Sequence, residues 1–301
     1  GFPTYNFACV VDDHGMEISH VIRGDDHISN TPRQLLIYRA FGWEPPAFAH
    51  VPMILGPDGT RLSKRHGATA VEAWAGKGYI REAMVNFLAL LGWAYDGQRE
   101  LFTLDELERL FRLDRVGANP AIFNVEKLEW VNGQHLKRLS EDERTRRVVA
   151  FLESGGYDLS QRTPEWRAAF VQALGGRLKT LADVESYGRF ALVPRVEMEP
   201  GAWAELAGAP DAGPHLELLA KRLEQDPGFD LESLERATRG LAAELGINAG
   251  VLMMPARVAL TGRKASPGLF EVMRLLGREA VVTRLREAAA RWSERAGVRR
   301  D

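Results

Sequence analysis

A single cysteine, Cys9, is all the thiol that the 301 residues carry. An intramolecular disulfide framework is therefore excluded, as is a zinc site built on paired thiolates, and the usage fits a reducing compartment such as the cytoplasm. No stretch approaches the roughly 18 consecutive apolar residues of a membrane-spanning helix. The opening GFPTYNFACVV has neither the basic segment nor the long apolar core of an export signal. A soluble chain with no membrane partner is expected. A global excess of positive charge is missing too: 27% of residues are charged and the formal net charge is −2, so any anionic partner must be met by local patches. There is no internal repeat, no low-complexity tract and no G-x-x-x-x-G-K-[ST] phosphate loop. The chain opens on Gly1 in what reads as the middle of a strand, which suggests a piece of something longer.

What is present divides into two characters. Residues 5–11 (YNFACVV) and 18–22 (ISHVI) are β-branched or aromatic runs joined by DDHGME, whose composition is that of a turn, and predict two strands. SNTPRQLLIYRAFG predicts a helix capped by Ser29, Asn30 or Thr31, with Pro32 in its first turn and Gly42 at its stop. AHVPMIL at 49–55 predicts another strand that runs straight into a basic loop, and this order is that of an α/β layered domain. Beyond residue 70 helical spacing takes over. Thr103 with Glu106 and Ser140 with Glu143 match the S/T-x-x-E capping pattern, and Thr163 precedes a first-turn proline, so helices are predicted to begin near 104, 141 and 164. Apolar Ala83, Met84, Phe87, Leu88 and Leu91 repeat at helical spacing and predict core. Breaks rich in proline and glycine place domain boundaries near 140 and 195.

Two stretches could carry chemistry. GPDGTRLSKRHG, residues 56–67, is a turn-rich loop with Arg61, Lys64, Arg65 and His66 crowded together. Its glycines allow the backbone to approach a ligand, Ser63 can donate a hydrogen bond, and Lys64 is a point charge suited to phosphate; the plain alternative is a solvated surface turn. Asp-Asp-His occurs twice, at 12–14 and 25–27. Such clusters can hold a divalent metal, so a metal-dependent phosphohydrolase is one reading, and turn or cap chemistry is the other.

RLSKRHG resembles the KMSKS signature of class I aminoacyl-tRNA synthetases in its glutamyl form, K-L-S-K-R-H-G, with Arg61 in place of the first lysine and Lys64 in place of the catalytic one. The block from PTYNF to HVIRGDDHISNTP resembles the segment that precedes that signature in bacterial glutamyl-tRNA synthetases, and the stretch from 234 to 277 resembles their anticodon-binding helices. The resemblance implies an α/β fold class: the C-terminal part of a Rossmann-type catalytic domain over 1–73, a mostly helical stem-contact domain over 74–140, and all-α anticodon-binding subdomains over 141–195 and 196–301. It implies Lys64, Arg61 and Ser63 as catalytic residues and Tyr5, Arg23, Asp26 and Lys64 around glutamate and ATP. Cys9 stands where some members carry a substrate-contacting asparagine. In the tRNA-binding half it implies Arg177, Arg239, Arg257, Ser266, Leu269 and Phe270 at the anticodon, with Met254 in place of a glutamine; Leu269 and Phe270 read equally well as the first turn of a packed helix. Trp130 and Asn132 are expected to be structural. The activity implied is that of a cytoplasmic, monomeric glutamate–tRNA ligase using L-glutamate, tRNA(Glu) and ATP with Mg²⁺ as substrate, with no tightly bound cofactor and no structural metal. The H-I-G-H signature of the class is not among the seven histidines, and His27-Ile28-Ser29-Asn30 only mimics its start. The 301 residues alone are therefore expected to activate glutamate poorly, and a noncatalytic tRNA-binding module is the alternative reading.

Overall fold

The computed structural model describes residues 1–63, 65, 67 and 70–298, with side chains through 294. The chain divides into two compact units, Gly1–His135 and Leu136–Asp301.

The first unit opens on α1 (Tyr5–Gly15), with Thr4 extended at its N-cap. The strand expected over 5–11 is thus a helix. That run has no two-residue alternation, and apart from Ala8 the buried and half-buried side chains of α1, Asn6, Cys9, Val10 and Asp13, recur at helical spacing, on a helix packed against the second one. A helix also satisfies its own backbone polar groups, which a lone strand could not. Asp12 and Asp13, read as turn residues, lie inside α1, and the chain reverses only beyond Gly15, where Glu17 takes a φ of 54°.

β1 (His20–Gly24) leads through a 3-10 turn, Asp25–Asn30, into α2 (Thr31–Phe41). As the sequence predicted, α2 ends at Gly42, whose φ of 71° is a left-handed stop that favours glycine. β2 (Ala47–Val51) then lies parallel to β1, in register from His20 opposite Ala47 to Gly24 opposite Val51. Parallel neighbours require a crossover, and α2 supplies it. The strand expected over 49–55 is interrupted at Pro52, which has no N–H to give a ladder. It resumes as β3 (Ile54–Leu55), parallel to the distant β4 (Ala121–Ile122).

The helices α3 (Val71–Gly76), α4 (Arg81–Ala89), α5 (Leu104–Leu110) and α6 (Val125–Arg138) complete the unit. Its core is aromatic: Trp74 meets Tyr79 edge-on at 5.1 Å, and Phe87 meets Phe123 at 5.0 Å. Asn86 is fully buried and is satisfied through Glu100 O, Phe102 N and His135 Nε2. Asn132 accepts from the Ile80 N–H at 2.8 Å, a structural role as expected, whereas Trp130 is 43% exposed and is not a core residue. Thr103 and Glu106 form the full capping box at the start of α5.

The second unit is all helical among its described residues: α7 (Glu141–Ser154), α8 (Pro164–Leu174), α9 (Asp183–Leu192), α10 (Pro200–Gly208), α11 (Ala212–Gln225), α12 (Leu231–Glu244), α13 (Ala249–Thr261), α14 (Leu269–Leu276) and α15 (Arg278–Val298). Ser140 and Thr163 cap α7 and α8 as predicted. α11 packs along α15 so closely that a Cβ on Gly213 would lie 2.6 Å from the Trp292 ring. Leu216, Leu219, Leu223, Val281 and Leu285 are buried along that seam.

Candidate functional site

In the first unit the parallel strands bring together side chains far apart in sequence. Arg23, near the carboxyl end of β1, donates through Nη2 to Thr31 Oγ1 and Gln34 Oε1, both at 2.8 Å, and through Nε to His50 Nε2 at 3.4 Å. Its guanidinium lies 5.3 Å from the centre of the Phe48 ring. Since arginine can only donate, the Nε2 of His50 is an acceptor and its proton sits on Nδ1. Gln34 is in turn held by donating to Asn6 Oδ1 at 3.2 Å. Every partner of Arg23 is therefore neutral, and among the described residues no carboxylate lies within ion-pair distance of it. A half-buried guanidinium fixed by neutral acceptors is a ready partner for an anionic group.

Tyr5, from the first turn of α1, reaches His27 Nδ1 at 3.3 Å. The Asn30 amide also donates to that nitrogen, at 3.2 Å, which puts the proton of His27 on Nε2, facing Asp26 Oδ1 at 4.0 Å. The other Asp26 oxygen pairs with Arg61 at 3.4 Å. Although about half of Tyr5 is exposed, partial desolvation raises the pKa of its phenol and the neighbouring Cys9 thiol adds to the effect, while Arg23 opposes it. The hydroxyl consequently stays protonated at neutral pH, a hydrogen-bonding group and not a base. Arg23, Tyr5, Asp26 and Arg61 are thus gathered at one end of β1.

The start of the basic loop, residues 56–61, is a reversal. Gly56 donates to Thr60 O at 2.7 Å, Gly59 turns with a φ of 74°, Asp58 accepts from Thr60 N at 3.0 Å, and Arg61 bridges back to Leu55. Ser63 is half-buried and has a partner of its own. Lys64 lies outside the described residues. The two Asp-Asp-His stretches do not converge on a cation site, and no group of three or more His, Cys, Asp or Glu side chains that could hold a metal occurs among the described residues. No helix there is long and apolar enough to cross a membrane.

Sequence reasoning missed Thr31, Gln34 and His50. No local sequence signal marks Gln34, whose burial on α2 to 2% exposure arises only in the fold.

The second unit gathers several of the residues expected at an anticodon. Arg257 on α13 donates to Ser266 Oγ and, at 2.6 Å, to Pro267 O, just before α14 begins. Burial lowers its pKa, the charge of Arg177 pushes in the same direction, and Glu271 opposes them. Arg177 is exposed in the 3-10 turn after α8. Phe270 is half-buried at the first turn of α14, whereas Leu269 is 2% exposed and packs in the core. Arg239 is spent on Glu235, one turn back on α12, at 2.7 Å. A cavity of about 360 Å³, lined by Tyr187, Arg189, Glu199, Arg263 and Ser266 among others, opens beside this group. Met254 lines a separate apolar groove with Leu206, Val251 and Val258.

Comparison with known proteins agrees with both halves. Residues 1–130 match the model for tRNA synthetases class I (E and Q), catalytic domain, and residues 135–289 match the anticodon binding domain. The chain is 44% identical over 295 residues to a glutamate–tRNA ligase of Moorella thermoacetica and 46% identical over 297 residues to one of Syntrophobacter fumaroxidans. These alignments cover 97% and 99% of this chain but 60% and 63% of those proteins, so the chain spans about three fifths of the curated relatives' length. A crystal structure of a glutamate tRNA ligase from Elizabethkingia meningosepticum in complex with its amino acid superposes with a TM-score of 0.81 at 28% identity, over 96% of this chain and 60% of that one. With matched domains that together span nearly its whole length, the chain belongs to the family of class I tRNA synthetases of the glutamyl and glutaminyl type, joining catalytic-domain sequence to an anticodon-binding domain.

Proposed function

We propose that the chain serves a glutamate–tRNA ligase: glutamate and ATP, brought with Mg²⁺, condense to an adenylate with release of pyrophosphate, and the acyl group passes to the 3′ end of tRNA(Glu) in the cytoplasm. The observation that carries this reading is Arg23, held by Thr31, Gln34 and His50 with no anionic partner among the described residues. Its fork suits a substrate carboxylate, and it explains how glutamate would be told from glutamine. A neutral amide entering there leaves a partly desolvated cation unpaired, and sites of that kind discriminate strongly. Tyr5, kept as a neutral phenol, orients the same substrate. Asp26 serves the adenylate side, where its ion pair with Arg61 ties the pocket to the basic loop.

Lys64 and Ser63 of that loop serve the triphosphate, Lys64 neutralising charge as pyrophosphate departs. No covalent enzyme intermediate is needed, because alignment and electrostatics supply the rate. Residues 74–140 serve as the stem-contact domain, with the subdomains over 141–195 and 196–301 reading the anticodon. Arg177, Arg257, Ser266 and Phe270 form the reading group, Arg239 joins it by releasing Glu235, and the ligase acts as a monomer. Arginine hydrogen bonds and aromatic stacking suit splayed bases, at about 1–3 kcal/mol each.

The test is glutamate-dependent pyrophosphate exchange by the product of the whole reading frame. Lys64→Ala should lower the rate roughly 10²- to 10³-fold, the usual cost of losing one preorganised donor, with tRNA affinity little changed. An unchanged rate would overturn the assignment. A noncatalytic tRNA-binding role is favoured for the 301 residues by themselves, since they contain no H-I-G-H sequence; they should bind tRNA(Glu) without pyrophosphate exchange.

A further inference from the structure

We propose that His50 is the positioning residue for the Arg23 fork and that it acts only as the neutral imidazole, so that capture of a carboxylate by Arg23 is lost when the ring gains a second proton. The parallel register sets His50 directly opposite Arg23, so the two side chains rise side by side from one face of β1 and β2. Phe48, two residues earlier on β2, shares that face and lies 5.3 Å from the guanidinium. Arg23 has a long flexible stem, and what fixes its Nε is the Nε2 of His50 at 3.4 Å. The same nitrogen meets the Thr31 hydroxyl at 3.0 Å, and that hydroxyl accepts from Arg23 Nη2 at 2.8 Å. One unprotonated ring nitrogen is thus the acceptor for two donors that together aim the fork.

A proton on Nε2 reverses these relations. The ring becomes a donor, Arg23 Nε loses its acceptor and faces a cation, and the Thr31 hydroxyl turns its hydrogen to the other acceptor in reach, His27 O at 3.4 Å. Like charges that close repel, and the guanidinium gives way because its other partners, Thr31 and Gln34, hold only Nη2. The surroundings do little to offset the added charge. β2 packs against β1 and the 3-10 turn. β1 contributes Arg23 itself, and the turn contributes Asp25, Asp26 and His27, of which Asp26 is paired with Arg61 and faces the His27 ring. α2 presents the neutral Thr31 and Gln34, and among the described residues no carboxylate pairs with His50. Imidazole is the side chain that ordinarily changes charge between about pH 5 and 8, and His50 is the only imidazole among the contacts of Arg23 described above.

The inference rests on the ligase reading, and the experiment separates the two. It is glutamate-dependent pyrophosphate exchange by the product of the whole reading frame. KM for glutamate should rise roughly fivefold from about pH 8 to about pH 6, with kcat changing less than KM, while the carboxylates of the substrate stay ionised throughout. His50→Gln keeps an acceptor oxygen but cannot take up a proton, and its KM should be the same at both ends of that range. His50→Phe keeps a ring without an acceptor, and should raise KM roughly tenfold at both ends, the usual cost of losing a hydrogen bond to a charged group. Thermal melting checks both folds; if His50→Phe fails to fold, the slope of His50→Gln decides alone. A parent KM that does not change with pH, a His50→Gln variant with the slope of the parent, or a folded His50→Phe variant that behaves as His50→Gln does would overturn the inference and leave the ligase reading intact. A parent without exchange at either end of the range would overturn the ligase reading itself, and the inference with it.

Discussion

The first seventy residues and the α11–α15 seam are both built of regular elements, yet only one of them closes a core. Among the described residues of 1–70 the buried apolar side chains are Val10 and Tyr38, while Phe2, Tyr5, Phe7, Val11, Met16, Ile22, Ile28, Leu35, Leu36 and Phe41 are exposed. Where α11 and α15 face each other, by contrast, Leu216, Leu219, Leu223, Val281 and Leu285 interlock with almost no exposure. The site end of the first unit thus rests on hydrogen bonds from Arg23, Gln34 and Thr31, and the second unit rests on packing. Polar networks hold geometry at a modest net stability, whereas packed apolar area holds the fold.

That contrast can be broken most forcefully in the seam. Leu216→Ala, at a fully buried position, should destabilise the second unit by about 2–5 kcal/mol in denaturant unfolding. A loss under 1 kcal/mol would mean that the seam is looser than its contacts imply. Hydrogen exchange sharpens the same point: amides of α11 and α15 should exchange near the global unfolding limit, and those of α1 and α2 through cheaper local opening. Equal protection would erase the distinction. Within the first unit, away from its exposed face, Thr103→Ala should cost about 1 kcal/mol by removing the capping box of α5, read as a lower melting temperature.

The smallest effect is with pH. The hydrogen bond from Arg99, followed by the Thr103 N–H, lowers the pKa of Glu106 from 4.5 to about 2. A depressed carboxylate stabilises the fold above its unfolded value, so this contribution is complete above pH 4.5 and is lost as the pH falls toward 2. The acid limb of unfolding should therefore be shallower in Glu106→Gln than in the parent, and identical limbs would refute the pairing.

The parts of this structure that could be read from sequence are local. Gly42, Thr103, Ser140 and Thr163 act on residues within one turn of themselves, and each stops or starts its helix where predicted. The run at 5–11 misled because a continuous apolar stretch carries no period, and only its packing against α2 decides between strand and helix. The pocket was half legible. Tyr5, Arg23, Asp26 and Arg61 came from a motif, but Gln34 and His50 gain their meaning from the crossover that carries them to Arg23. Leu269 and Phe270 are neighbours in sequence with opposite fates, because helical phase sends one inward. Arg284 on α15 was the least legible: its side chain donates to four carbonyls, three of which lie more than 85 residues away.

The glycine at 213 allows α11 to lie against the Trp292 ring, but α15 begins about fifty residues after α11 ends. At a synthesis rate of roughly 5–20 residues per second, the greasy side of α11 waits on the order of 3–10 s for its counterpart to leave the ribosome. During that interval nascent chains on one message can adhere to one another, so this close joint is also a place where production of the chain is exposed to clumping.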